Sequence, residues 1–305
     1  MNVGGSMLLN DYFEWGSRCY VMGILNVTPD SFSGDGVLGQ RDPISVALDQ
    51  ACTFFNNGAD VIDIGGESTR PGATPVGVSE EIDRVVPVIE AVSSALPECM
   101  ISIDTSKAEV AAAALVAGAD IINDIWALKH DKNIAEVAAD TKSPVILMHN
   151  ASCASRVEKL GEGGAQYTPR SYEHFLNEVC SELLYSAHSA EACGIPANQI
   201  ILDPGVGFGK SPSQNLSLIN HLGRIRALGY PVLIGPSRKS FISRVLGVEA
   251  ECREEGTAAT IAAAVIRGAD IVRVHDVTVL KRIVDMCDAI VRTSEDGIIS
   301  SERMV

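Results

Sequence analysis

The chain has 305 residues, 46% hydrophobic and 21% charged, with 39 acidic against 24 basic side chains and a formal net charge of −15. That length suffices for one large core or two modest ones, and the acidic field disfavours nucleic acid as the main partner while leaving room for a small anion held by local cations. No run of roughly 18 apolar residues suggests a membrane span, no basic-then-apolar leader suggests secretion, and eight scattered cysteines without a C-x-x-C pair suit free thiols in a reducing cytosol rather than disulfides or zinc.

Residues 1–17 read as a tail and, over 8–18, a hairpin closing the bottom of a barrel. The first candidate strand, 20–25, runs into Asn26 and then Val27-Thr28-Pro29-Asp30-Ser31-Phe32-Ser33-Gly34-Asp35-Gly36. That connection is far longer than a turn needs, and long loops in compact domains are usually functional; it reads as a lid. A helix over 44–57 leads to a strand at 61–64, and a helix over 80–95 to a strand at 100–103. A helix over 108–117 leads to a strand at 121–122, followed by one at 145–148. Helices over 171–192 and 213–228 precede strands at 200–202 and 232–234. A helix over 257–267 leads to the eighth strand, 271–274; a last helix spans 277–292, and 294–305 is a tail.

Gly-Ala-Asp recurs at 58–60, 118–120 and 268–270, each time between a helical pattern and a β-branched run. Glycine suits the left-handed residue just past a helix end, and the apolar run after it suits a strand buried on both faces. Eight such strands alternating with helices over 18–293 predict one α/β domain, a (β/α)₈ TIM barrel. The alternative is a doubly wound open sheet, which would place a Gly-rich turn after the first strand; that turn is missing here.

Barrels of this kind build their sites at the C-terminal strand ends. Those ends read Asn26, Gly65-Gly66-Glu67-Ser68-Thr69-Arg70, Asp104, Asn123, His149, Asp203, Ser237-Arg238-Lys239-Ser240, and Arg273 with His275. Two isolated acids, two amides and a basic cluster point to a polar ligand with an anionic part, the cations standing where such barrels commonly hold phosphate. Gly205-Val206-Gly207-Phe208-Gly209-Lys210-Ser211 has the wrong spacing for a P-loop or a dinucleotide turn and reads as a glycine-rich lip beside the ligand.

Asn26–Ser33, Gly65–Gly72, Ile103–Lys107, Ile122–Ile125, Leu202–Gly205, Gly207–Lys210, Ser237–Ser240 and Arg273–Asp276 together resemble the dihydropteroate synthase family, in its order, over 20 to about 292. The resemblance implies condensation of 6-hydroxymethyl-7,8-dihydropterin diphosphate with p-aminobenzoate, giving 7,8-dihydropteroate and diphosphate. It assigns Asp104, Asn123 and Asp203 to the pterin edge, with no guanidinium partner for the carboxylates foreseen. Lys239 goes to the carbonyl side of the ring and Met148 to its face. Thr69, Arg273 and His275 would take diphosphate, and Asn26 magnesium. Arg70, Pro71, Phe208 and Ser240 would hold p-aminobenzoate, where sulfonamides compete. A homodimer is implied by the family alone. Two departures stand out: Gly34-Asp35 inverts the family's usual Asp-Gly order, leaving Asp35 one residue late as a second metal ligand, and residues 150–170 form a longer loop than usual. A related barrel class, which transfers a methyl group from a reduced folate, would not need the Ser237–Ser240 and Arg273–His275 cations; an inactive pterin-binding relative would not need Asn26, Lys239 and Arg273.

Overall fold

A computed structural model describes residues 9–28, 42–68, 73–152, 157–160 and 164–293. Eight parallel strands form the barrel: β1 (Tyr20–Asn26), β2 (Val61–Gly65), β3 (Met100–Asp104), β4 (Ile121–Asp124), β5 (Val145–Met148), β8 (Ile200–Asp203), β9 (Leu233–Ile234) and β10 (Ile271–Val274). Their order is β8-β5-β4-β3-β2-β1-β10-β9, and a bridge between Leu202 and Val232 joins the two ends. Between β5 and β8 the long loop carries a separate antiparallel pair, β6 (Val157–Leu160) and β7 (Gly164–Tyr167).

The helices are α1 (Leu9–Tyr12), α2 (Pro43–Asn56), α3 (Val78–Ala95), α4 (Ala108–Ala117), α5 (Asn133–Thr141), α6 (Phe175–Ala192), α7 (Pro212–Asn220), α8 (Leu222–Arg226), α9 (Ser240–Leu246), α10 (Glu254–Ile266) and α11 (Val277–Arg292). Several differ from the sequence pattern for local reasons. α3 and α10 begin earlier than their apolar periodicity, because Glu80, Glu81, Glu254 and Glu255 suit the positive end of a helix. The pattern over 213–228 divides into α7 and α8 at His221. α5 fills the interval between β4 and β5, where the barrel pattern expects a helix without fixing its bounds.

The barrel bottom departs from expectation. In place of a hairpin, α1 makes one helical turn and Trp15 forms an isolated bridge to Arg18. The segment still closes that end: Leu9 and Phe13 pack beneath Tyr20, Met22, Val61, Met100, Ile121, Ile146, Ile201, Leu233 and Ile271. Phe13 stacks on Trp15 with ring centres 4.7 Å apart. Aromatic contacts of this kind add to simple area burial.

The repeated Gly-Ala-Asp has one structural meaning. Gly58, Gly118 and Gly268 have positive φ of 87°, 114° and 93°, as a chain leaving a helix into a strand requires. Each following aspartate accepts the backbone N–H of the neighbouring strand: Asp60 from Val21 at 2.8 Å, Asp120 from Ile101 at 2.8 Å, and Asp270 from Val232 at 2.9 Å.

Candidate active site

Successive strand residues face opposite sides of the sheet. One phase of each strand is apolar and packs under the helices: Ile62 and Ile64, Ile101 and Ile103, Ile122, Leu147, Leu202. The other phase faces the barrel interior, where the lower layer is apolar. Above it the same phase carries Asp63, Ser102, Asp104, Asn123, Met148, Asp203 and Arg273. Register aligns Gly65 with Asp104, Asp104 with Asn123, and Met148 with Asp203. The strand-end residues thus meet because they share a phase.

Arg273 corrects the expectation of carboxylates without a guanidinium. Its Nε donates to Asp63 Oδ2 at 2.5 Å and its terminal nitrogen to Asp104 Oδ2 at 2.6 Å. Asn123 Nδ2 donates to the same Asp63 oxygen at 3.1 Å. Burial raises Asp104 to about 7 in spite of the arginine. Burial opposes the Arg273 charge as well, but the two aspartates hold it above its ordinary value. Asp203 accepts the Gly205 N–H at 2.7 Å, and burial lifts it to about 6. Asp63 was missed from the sequence, although a charged residue two positions after Val61 in a doubly buried strand was a signal.

The glycine-rich lip is tied down by a residue the sequence reading passed over. Lys210 is buried, and its ammonium donates to the carbonyls of His149 at 2.9 Å, Gly205 at 2.9 Å and Phe208 at 3.2 Å. Burial lowers it to about 7. Gly205 has φ 67°, and a side chain there would collide with the His149 carbonyl, so the close approach of the two loops needs glycine. Phe208 is half-buried and carries Lys239 Nζ 4.3 Å from its ring centre, a cation–π contact.

At the β9–β10 corner, Ser237 Oγ accepts the His275 backbone N–H at 3.3 Å and lies 3.0 Å from His275 Nδ1. The Ser237 hydroxyl can donate to Nδ1 or accept from it, according to the ring tautomer. Two strand-end residues turn away. Arg238, with φ 55°, faces Glu254 at 3.8 Å. His149 puts Nε2 3.3 Å from Glu182 of α6, and burial lowers it to about 4, so it is neutral. Ser240 is exposed at the first turn of α9, and Asn26 is exposed at the end of β1. Asp35, Thr69, Arg70 and Pro71 lie outside the described residues, as does most of the loop read as a lid. Just after β2, Glu67 bonds Lys107, which Glu81 of α3 also bonds.

A family profile described as "Pterin binding enzyme" matches residues 22–275. The chain is 48% identical over 272 residues to the dihydropteroate synthase of Bacillus subtilis, covering 89% of this chain and 88% of that one. A crystal structure of dihydropteroate synthase from Clostridium difficile, in the presence of pteroic acid, superposes with a TM-score of 0.81 at 42% identity, covering 91% and 98% of the two chains. That of Xanthomonas albilineans, with 4-aminobenzoic acid, gives 0.80 at 40% identity, covering 90% and 93%. Identity of this degree along nearly the whole barrel means that the chain belongs to the pterin-binding enzymes and, within them, to the dihydropteroate synthase family.

Proposed function

We propose that the chain performs the condensation its relatives are named for, in folate biosynthesis: 6-hydroxymethyl-7,8-dihydropterin diphosphate and p-aminobenzoate give 7,8-dihydropteroate and diphosphate. The observation that carries this is the set of acceptors that share the barrel interior at the strand ends: Asn123 and Asp203, both buried, and the partly buried Asp104. Asp104 beside Arg273 and Asp203 beside the Gly205 N–H keep acceptor capacity beyond those bonds, and the pterin edge is a row of N–H donors that can fill it. Met148, buried on β5, would pack against the ring face, and Lys239 would reach its carbonyl side.

The reaction breaks the bond between the pterin methylene carbon and diphosphate and forms a carbon–nitrogen bond to the arylamine, which loses a proton. Negative charge grows on the departing diphosphate. Arg273, His275 and Thr69 would bind it, and such donors contribute most where water is excluded. Asn26 offers an amide oxygen, the hard donor magnesium prefers alongside phosphate oxygens and water. Magnesium bound there would supply further positive charge to the leaving group. An arylamine is neutral near pH 7, so positioning rather than a strong base is required. Phe208, Arg70 and Pro71 would wall the p-aminobenzoate pocket, with Ser240 at its carboxylate and sulfonamides competing there.

We infer also that the protein works in the cytoplasm and as a homodimer. A groove of about 680 Å³ between α7, α9 and α10 is lined by Leu216, Ile219, Phe241, Val245 and Leu246. Leu216, Val245 and Leu246 are 43%, 53% and 51% exposed, an apolar patch that a second copy would cover. The decisive assay for the reaction is diphosphate release from the two substrates. A methyl-transferring barrel would release none, and an inactive relative would bind the pterin without turnover.

A further inference from the structure

One carboxylate in the interior layer has no role in the reaction outlined above. Asp63 is 0% exposed and lies in the middle of β2, so it cannot reach a ligand. Its Oδ2 accepts from Arg273 Nε at 2.5 Å and from Asn123 Nδ2 at 3.1 Å. Its Oδ1 has no hydrogen-bond partner among the described residues. A fully buried carboxylate is expensive, and an apolar residue in its place is often neutral or stabilising. The fold alone therefore gives little reason for aspartate here.

Its two partners are both groups that would face the ligand. An asparagine amide has a donor end and an acceptor end, and either can face a cavity unless a neighbour fixes it. With Nδ2 committed to Asp63, Asn123 turns its carbonyl oxygen away from that carboxylate as an acceptor. Arg273 is likewise held at two corners, by Asp63 through Nε and by Asp104 through the terminal nitrogen, which leaves its planar fork little freedom to turn.

We propose that Asp63 is a positioning residue of the pterin diphosphate site, fixing the acceptor end of Asn123 toward the ring and the plane of Arg273 toward the leaving group. This rests on the pterin-binding reading above. Calorimetric titration with the pterin diphosphate tests it in four proteins: the wild type, Asp63→Asn, Asn123→Ala and the double variant. Asp63→Asn is expected to weaken binding about tenfold or more, the scale of a hydrogen bond to a charged group. Because Asp63 acts through Asn123 and Arg273, its effect in the Asn123→Ala background is expected to be clearly smaller than in the wild type, neighbours in one network being non-additive. Unchanged affinity in Asp63→Asn, or full additivity, overturns the proposal. Should Asp63→Asn fail to fold, the side-chain amide of Asn123 in the wild type is observed by NMR. Slow exchange and a carboxylate-bonded shift before ligand is added support the proposal; a freely exchanging amide overturns it. A wild type that does not bind the pterin at all overturns the functional reading as well, whereas a wild type that binds beside an unaffected Asp63→Asn removes only the positioning role.

Discussion

Among the described residues Asp203 accepts one backbone N–H, at 2.7 Å, and burial raises it to about 6. The folded carboxyl therefore binds its proton more tightly than the unfolded one. Its contribution makes unliganded stability fall as pH rises from about 4 through about 6, with no recovery above. Ligand binding has the opposite requirement, since only the ionised form accepts two N–H bonds. Affinity for 6-hydroxymethyl-7,8-dihydropterin is expected to weaken as pH drops through the range of Asp104 and Asp203, about 7 to about 6, and a flat titration across it would contradict the assignment. Asp203→Asn is expected to abolish most turnover while raising the stability of the unliganded protein by roughly 1–3 kcal/mol, read as a higher melting temperature. Lys210 is the converse case. Lys210→Met would leave three inward carbonyls without their donor, and an expected loss of roughly 2–4 kcal/mol would follow. Because one of those carbonyls belongs to Phe208, KM for p-aminobenzoate is expected to rise more than that for the pterin; equal rises would assign Lys210 to stability alone.

Among the elements, the helix–turn–strand unit explains more of this molecule than any single helix does. Its glycine lets the chain turn sharply, and its aspartate then takes an N–H from the next strand over, which joins adjacent units at the barrel bottom. Asp270 also binds Arg226 of α8. Asp120→Ala and Asp270→Ala are each expected to cost about 1–3 kcal/mol, with asparagine milder because its amide oxygen still accepts; chemical denaturation of the purified variants measures this. The same units carry the site, since the strand that begins beside Asp120 ends at Asn123 and Asp124, and the one that begins beside Asp270 carries Arg273.

On the scale of the whole molecule, the polar site and the apolar groove occupy different parts of the barrel. The interior phase of the strands forms the site, and α7, α9 and α10 form the groove on the outside. Gly256 of α10 lies against Ile242 and Leu246 of α9, so the two helices pack closely and leave Val245 and Leu216 outward. Val245→Glu would put a charge into an apolar contact. Sedimentation is expected to show a dimer for the wild type and a shift toward monomer for this variant, with the fold intact by circular dichroism; an unaltered dimer would place the interface elsewhere.

What the sequence determined by itself was periodic or local. Buried β-branched runs, the repeated Gly-Ala-Asp and the helical patterns between them specify a (β/α)₈ barrel, because each signal is written within one turn or one strand. The polar strand ends were legible for the same reason, and the family motifs located them residue by residue. Tertiary structure decided which of those ends share an interior. Asp63 and Arg273 are 210 residues apart in sequence, and only the pairing of β1 with both β2 and β10 makes them neighbours; no local pattern could pair them. It also decided that His149 turns toward Glu182 of α6 and Arg238 toward Glu254, that a helical turn rather than a hairpin closes the bottom, and that Lys210 binds three carbonyls. Those outcomes depend on which surfaces meet across the barrel, and burial then sets whether each charge is held by a partner or left facing the site.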